Sequence, residues 1–306
     1  MCFIRLISIL LFSLFASYSS AGVISDTSII KSHLITITKS EKFRNHINVE
    51  QLDRTAEYIR SVFAQYADSV FIQEYTVKGR VYKNVIGSFG TKNAKRVIVG
   101  AHYDVSGDQQ GADDNASGVV GLLELARMLK GQQLDHRVDL VAYSLEEPPY
   151  FDTEHMGSYV HAKSLADGKV DVYGMISLEM IGYFKDEKKS QSYPIGLLSL
   201  FYGNRGNYIT LVKRFGAGKF ARQVCKHYKA AKTIRTKKFS GPRSLVGIDL
   251  SDHLNYWLFG FSALMITDTS FYRNPNYHES TDTMDTLDIG RMAKVINGVF
   301  KTLIAL

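Results

Sequence analysis

Residues 96–147 read RVIVGAHYDVSGDQQGADDNASGVVGLLELARMLKGQQLDHRVDLVAYSLEE, and this pattern decides the fold class. Arg96–Ala101 is a short apolar run of the kind that forms a buried strand. Ala116–Leu129 then spaces its apolar residues as one face of a helix, and Arg137–Leu145 returns to a strand. Parallel strands need a crossover between them, and a helix is the usual crossover, so this succession predicts a parallel sheet.

The pattern continues outward in both directions. Upstream, Val49–Ala67 carries Leu52, Ala56, Ile59, Val62 and Phe63 as a helical stripe. Two strands follow, Val70–Val77 and Val81–Phe89, with Lys78-Gly79-Arg80 as the hairpin turn. Downstream, Met156–Leu165 reads as a helix, Val172–Leu178 as a strand and Tyr208–Tyr228 as a basic helix. Ser262–Asp268 is then a strand and Ile289–Leu303 a closing helix. The predicted fold class is α/β, a three-layer α/β/α arrangement around a mainly parallel, mixed central sheet. Ligands of such sheets bind beyond the carboxyl ends of the strands.

The chain has 306 residues, 45% of them hydrophobic and 22% charged, which excludes disordered and collagen-like chains. Five prolines and no Ser/Gly/Pro tract leave no linker, so residues 22–306 are expected to form one domain. Residues 1–21 read as a signal peptide: Arg5 precedes the apolar stretch Leu6–Ala16, and Ser19-Ser20-Ala21 supplies the small residues of a cleavage site. The expected location is therefore periplasmic or secreted. Cys2 would leave with the leader, and Cys225 alone can form neither an internal disulfide nor a cysteine-based zinc site.

The net charge of +7 is a local feature. Ten Lys/Arg and no acid fall between Lys213 and Lys238, which leaves the rest of the chain at −3. This segment is either the solvated face of a surface helix or a contact surface for an anionic envelope polymer or acidic substrates. No nucleic-acid-binding motif accompanies it.

The predicted strand ends carry the chemistry. His102-Tyr103-Asp104 and then Gly111-Ala112-Asp113-Asp114-Asn115-Ala116-Ser117-Gly118 follow the strand at 96–101. Glu146-Glu147 follows Arg137–Leu145, Glu179 follows Val172–Leu178, and Tyr277-His278-Glu279 ends the loop after Ser262–Asp268. Each has an ordinary reading of its own, such as a helix N-cap for Asp113 or Asp114. Glu179, set among Ile176, Leu178, Met180 and Ile181, needs a cation or a proton, because a buried unpaired carboxylate is strongly unfavourable. Several carboxylates with two histidines at one sheet edge suit a divalent metal, zinc foremost.

With Met156-Gly157-Ser158, Leu178-Glu179-Met180-Ile181-Gly182 and Ser251-Asp252-His253, these blocks resemble, in order and approximate spacing, the M28 family of zinc peptidases. That family holds the bacterial leucyl-type aminopeptidases and their relatives, and the likeness runs from about residue 30 to the C-terminus. It implies a zinc-exopeptidase fold and two zinc ions, with Asp114 bridging them. His102 and Glu179 would complete one site, and Glu147 and His278 the other. Glu146 would be the general base, and Asp104 would fix the tautomer of His102. A cis peptide between Asp114 and Asn115 is implied as well.

Two features depart from the commonest family pattern. Position 179 is often Asp, and Glu keeps the charge and the donor atoms. Pro148-Pro149 after Glu146-Glu147 resembles the Glu-Glu-Pro-Pro variant of a bacterial subgroup, and residues 148–155 would wall the pocket, with His155 at the surface. Asn115-Ala116-Ser117 matches a glycosylation sequon but lies in the metal loop. Ser251-Asp252-His253 reads as a helix N-cap and not a serine triad, since adjacent residues do not make that constellation and no nucleophile elbow exists. Arg273 either pairs with a substrate carboxylate or braces its loop.

The expected activity is metal-dependent exopeptidase chemistry on peptide substrates, an aminopeptidase first, with zinc or another divalent metal. The rivals are a glutaminyl-cyclase-like acyltransferase with one zinc, a carboxypeptidase or dipeptidase of the same fold, and a metal-free binding domain.

Overall fold

The computed structural model describes residues 23–306; the predicted leader lies outside them. In chain order the elements are α1 (Thr27–Thr38), α2 (Val49–Tyr66), β1 (Ser69–Val77), β2 (Arg80–Phe89), β3 (Arg96–His102), α3 (Gly118–Leu129), β4 (Arg137–Tyr143) and α4 (Gly157–Asp167). They continue with β5 (Val172–Glu179), α5 (Leu198–Tyr202), β6 (Ile209–Arg214), α6 (Gly218–Ala231), β7 (Thr236–Gly241), α7 (His253–Leu258), β8 (Ala263–Thr267) and α8 (Ile289–Ile304). All eight strands join one sheet in the order β1-β2-β4-β3-β5-β8-β6-β7.

Local chemistry explains several boundaries. Asp26 caps α1 by accepting the N–H groups of Ser28 and Ile29. Lys78 and Gly79 both take positive φ, the two-residue turn that suits the twist of a tight hairpin, and Val77 pairs with Arg80 across it. β4, β3, β5 and β8 run parallel, β2 is antiparallel to β4, and β6 is antiparallel to β8. The sheet is thus mixed with a parallel centre, as predicted.

Several elements differ from the sequence reading, α5 among them, which it did not contain. Tyr208–Tyr228 is not one helix: β6 occupies its start, and α6 begins only at Gly218. Gly216 and Gly218 lie at φ 71° and 91°, a backbone that stops a helix, and the β-branched run before them pairs with β8. Edge strand β7 is rich in lysine and half-buried, so it shows no clean alternation. α1 contains many Thr and Ile, poor helix formers, and its helicity rests on its cap and on buried Ile30, Leu34 and Ile37.

Two cores sandwich the sheet. One joins α1, α2, α3, α6 and α8 to one face, and the other packs α4 and α7 on the opposite face. In the second, His161 Nδ1 lies 2.6 Å from the Tyr256 hydroxyl, which lies 2.6 Å from that of Tyr143. His253 Nε2 donates to the Ile248 carbonyl at 2.7 Å. Burial pushes the pKa of both histidines down to about 4. The unfolded chain takes up their protons near pH 6.5 and the folded chain only near 4. Their contribution is therefore complete above pH 6.5 and is lost as pH falls, by about 2 kcal/mol each at pH 5. His161→Gln is expected to make urea stability fall less steeply between pH 7 and pH 5; an unchanged pH slope would refute this.

Candidate metal centre

Because β4, β3, β5 and β8 are neighbours and parallel, their carboxyl ends share one edge. His102 ends β3 and Glu179 ends β5. Glu146 and Glu147 follow β4, and His278 is delivered by the loop after β8. Asp114 sits in the kinked turn Ala112–Ser117 before α3, where its own backbone and that of Asn115 are not helical, and the Asp114–Asn115 peptide is cis. The structure brings all six residues together.

The two oxygens of Asp114 face different partners. Oδ1 lies 3.4 Å from His102 Nε2, which lies 3.5 Å from Glu179 Oε2. Oδ2 lies 3.2 Å from His278 Nε2, which lies 3.1 Å from Glu147 Oε2. The cluster thus sorts into two groups of three that share Asp114. Glu146 Oε2 stands farther off, 3.8 Å from His102 Nε2.

Electrostatics show what the cluster lacks. Burial pushes the Glu146 carboxyl well up, that of Glu147 up to about 8, and that of Glu179 up as well. For the histidines burial opposes protonation, yet surrounding carboxylates outweigh it. His102 is raised well above the imidazole range, and His278 rises to about 10. Burial also disfavours an ionised Asp114, but the two imidazoles prevail and hold it below the usual carboxylate range. Both kinds of shift record one deficit: more negative charge than a buried site tolerates, so the groups retain protons.

A divalent cation fits that deficit. Asp114 Oδ2, Glu147 Oε1 and His278 Nε2 are buried without a hydrogen-bond partner. His102, Asp114 and Glu147 offer ligand atoms that all lie within 4.8 Å of one another. Carboxylate oxygens with imidazole nitrogens are the donor set of zinc and similar metals.

A scaffold behind the cluster holds it in place. Asp104 accepts the backbone N–H of Glu146 on Oδ1 and that of Glu147 on Oδ2, both at 3.1 Å, and its Oδ1 lies 3.5 Å from His102 Nδ1. Asn115 donates to the Leu178 carbonyl at 2.9 Å, and its Oδ1 accepts the N–H of Gly118 and Met180. That engagement, with full burial, rules out its use as a glycosylation site. Asp282 accepts the N–H of Asp113 and Asp114, fixing the turn that carries the latter. Gly111 opens this turn at φ 55°, where a Cβ would stand 2.3 Å from the Asp114 carbonyl oxygen.

Non-glycine residues in the left-handed region also gather here: Leu145 before Glu146, Met180 after Glu179, and His278 itself. Each conformation costs about 1–3 kcal/mol and persists only where surrounding structure enforces it, as at functional sites.

The remaining sequence candidates resolve as follows. Neither Asp113 nor Asp114 caps α3; Asp113 instead accepts from Gly182 N and Asn274 Nδ2. Ser251 Oγ donates to Glu179 Oε2 at 2.7 Å, while His253 points to Ile248, so no serine triad forms. Asp252 stands at the N-cap of α7 without a side-chain cap bond. Arg273 is buried, donates to Gln191 Oε1 at 2.8 Å and stacks on Tyr208 at 4.8 Å, so it braces loops. His155 is half-buried against Tyr150. Sequence reasoning missed the roles of Asp282, Asn115 and Ser251, because only the folded loops bring them to the cluster.

A cavity of about 210 Å³ opens above the cluster, with Asp114, Glu146, Glu147, Glu179 and His278 at its floor. Its walls are apolar and aromatic, among them Phe151, Tyr193, Tyr208, Val212, Phe239 and Tyr272. Among the described residues no Lys or Arg lines it.

An α/β sheet with acids and imidazoles converging at its strand ends, beneath an apolar pocket, suits a metal-dependent enzyme such as a metallopeptidase. The comparison with known families agrees: the model of peptidase family M28 matches residues 84–303, and the chain belongs to that family. Uncharacterized protein YfbL of Escherichia coli is 42% identical over 275 residues, covering 87% of this chain and 84% of that protein. Leucine aminopeptidase 1 of Arthroderma otae is 28% identical over 235 residues, 71% of this chain, which spans only 57% of the fungal protein. Among solved structures, the LapA aminopeptidase of Legionella pneumophila superposes with a TM-score of 0.71 at 19% identity, covering 91% of this chain and 71% of that one. A Bacteroides thetaiotaomicron glutaminyl cyclase bound to N-acetylhistamine gives 0.69 at 19% identity, covering 93% and 99%. At that identity the likeness concerns the fold.

Proposed function

We propose that the chain is an aminopeptidase that removes apolar residues, using two zinc ions. The observation that carries this reading is the lining of the pocket. Its floor carries carboxylates with His278, its walls are apolar, and among the described residues no Lys or Arg lines it. A substrate's free ammonium group is attracted to such a floor, and an apolar first side chain is buried against the walls. Among the described residues the lining offers no Lys or Arg to pair with a C-terminal carboxylate, which favours an aminopeptidase over a carboxypeptidase.

His102, Glu179 and Asp114 Oδ1 would hold one ion, and His278, Glu147 and Asp114 Oδ2 the other. Bound zinc supplies Lewis acidity, activating water and polarising the scissile carbonyl. His102 Nδ1 donates to the backbone carbonyl of Asp104 at 3.2 Å, and the Asp104 carboxylate clamps the backbone that aims Glu146. Glu146 stands beside both groups of ligands, and burial raises its proton affinity. Its carboxylate takes the proton of the attacking water and returns it to the leaving amine.

The test is incubation with free and N-acetylated peptides, with and without chelator, read by mass. Chelator-sensitive, stepwise loss from free N-termini only, fastest at apolar residues, is expected. Loss of ammonia from N-terminal glutamine without peptide cleavage would replace the reading by cyclase chemistry, and C-terminal loss would overturn it.

A further inference from the structure

The ten cations between Lys213 and Lys238 do not form a single helix face, yet part of them builds a surface of its own. On α6, Lys219, Arg222, Lys226 and Lys229 are all exposed. They recur at helical spacing, and Lys232 at the C-cap extends the row. The row is about 20 Å long at 1.5 Å per residue. α8 packs beside α6 on the same face of the sheet, where the Tyr228 hydroxyl donates to the Val295 carbonyl. α8 adds exposed Lys294 and Lys301, and residues 289–306 contain no acid. Among the described residues, no salt bridge engages any of these seven cations.

Exposed apolar side chains lie at the ends of these two helices and beside α8. Phe215 before α6 is 65% exposed and Ile304 at the end of α8 42%. Ile24 is 65% exposed, and the neighbouring Ser25 N–H donates to Asn297 on α8 at 2.8 Å. The described residues therefore begin beside α8. The pocket lies elsewhere: its walls include Val212, Met265 and Phe239, which pack on the α4/α7 side of the sheet. Contact through the α6/α8 layer leaves the pocket open.

We propose that the α6/α8 face docks this protein on an anionic lipid bilayer. Two side-by-side helices offer a flat array of cations to headgroups, and the exposed apolar side chains reach the interfacial layer. A soluble polyanion would satisfy the cations but has no use for exposed Phe215, Ile24 and Ile304, so these residues favour lipid.

The test is co-sedimentation of the purified protein with vesicles containing phosphatidylglycerol and with vesicles of phosphatidylcholine alone, at low and high salt. Binding is expected only with phosphatidylglycerol and is expected to fall as salt rises. Each cation near such a surface contributes about fivefold, so K219Q/R222Q/K226Q/K229Q should lose on the order of a hundredfold or more. Its peptide hydrolysis should be unchanged, since none of the four lines the pocket. A control neutralising Lys92, Lys188 and Lys189 should bind like the parent. Equal binding to both lipids, or undiminished binding by the quadruple variant, overturns the proposal. Retention on heparin or polyphosphate without binding to phosphatidylglycerol vesicles reassigns the face to a soluble polyanion and overturns it too.

Discussion

Glu146→Gln is expected to lower kcat by on the order of 10²–10⁴-fold while leaving metal content, folding and KM nearly unchanged. The geometry separates Glu146 from its neighbours. Its Oε2 is 3.8 Å from His102 Nε2, whereas the other carboxylates approach the imidazoles to 3.1–3.5 Å. Burial and the carboxylates of Glu179 and Glu147 raise its proton affinity, with His102 opposing, as a group that must take up and release a proton near neutral pH requires. Glutamine keeps the volume and the Asp104 clamp, which acts on the backbone N–H, but it accepts no proton. Glu147→Gln should behave differently and lose metal, because Glu147 faces His278 at ion-pair distance. A Glu146→Gln enzyme with nearly parental turnover would remove Glu146 from the proton-transfer role.

How much of this was legible in the chain depends on the range of the physics involved. Arg96–Ala101 and Arg137–Leu145 are apolar runs whose burial is a local property, so the strands and the edge they share could be read directly. His102, Glu146, Glu147 and Glu179 stand at or just beyond those strands, and the sheet's parallel geometry does the rest. Helical spacing failed where it was carried from Leu211 through Phe220 to Tyr228, across Gly216 and Gly218, whose positive φ values break the phase. The supports were hidden for another reason. Asp282 holds the N–H of Asp114 from 168 residues away, and Ser251 reaches Glu179 across 72. Neither distance leaves any mark on local composition. The left-handed backbone of Leu145 and Met180 is likewise imposed by the fold on residues that do not favour it.

On the two-zinc reading proposed above, Asp114→Asn is expected to abolish binding of both ions, the largest effect on stability that one substitution at this site should produce. Asp114 is the one residue whose two oxygens face both groups of ligands, and the imidazoles keep it ionised despite burial. An amide supplies one weaker oxygen and no charge, so each site loses its shared anion. The parent protein should gain about 4 kcal/mol for each bound zinc ion with zinc present at about a thousandfold over Kd, seen in urea unfolding with and without chelator; in Asp114→Asn that gap should close. The pH dependence has a definite sign. Without metal, Glu147 holds its proton up to about pH 8 and His278 up to about 10, and a bound cation must displace both. Zinc affinity should therefore rise from pH 6 to pH 8, with protons released to the buffer, which calorimetry in two buffers of different ionisation enthalpy measures directly. An Asp114→Asn protein that keeps two zinc ions, or zinc binding without proton release at neutral pH, would show that the charge deficit of this cluster is met in some other way.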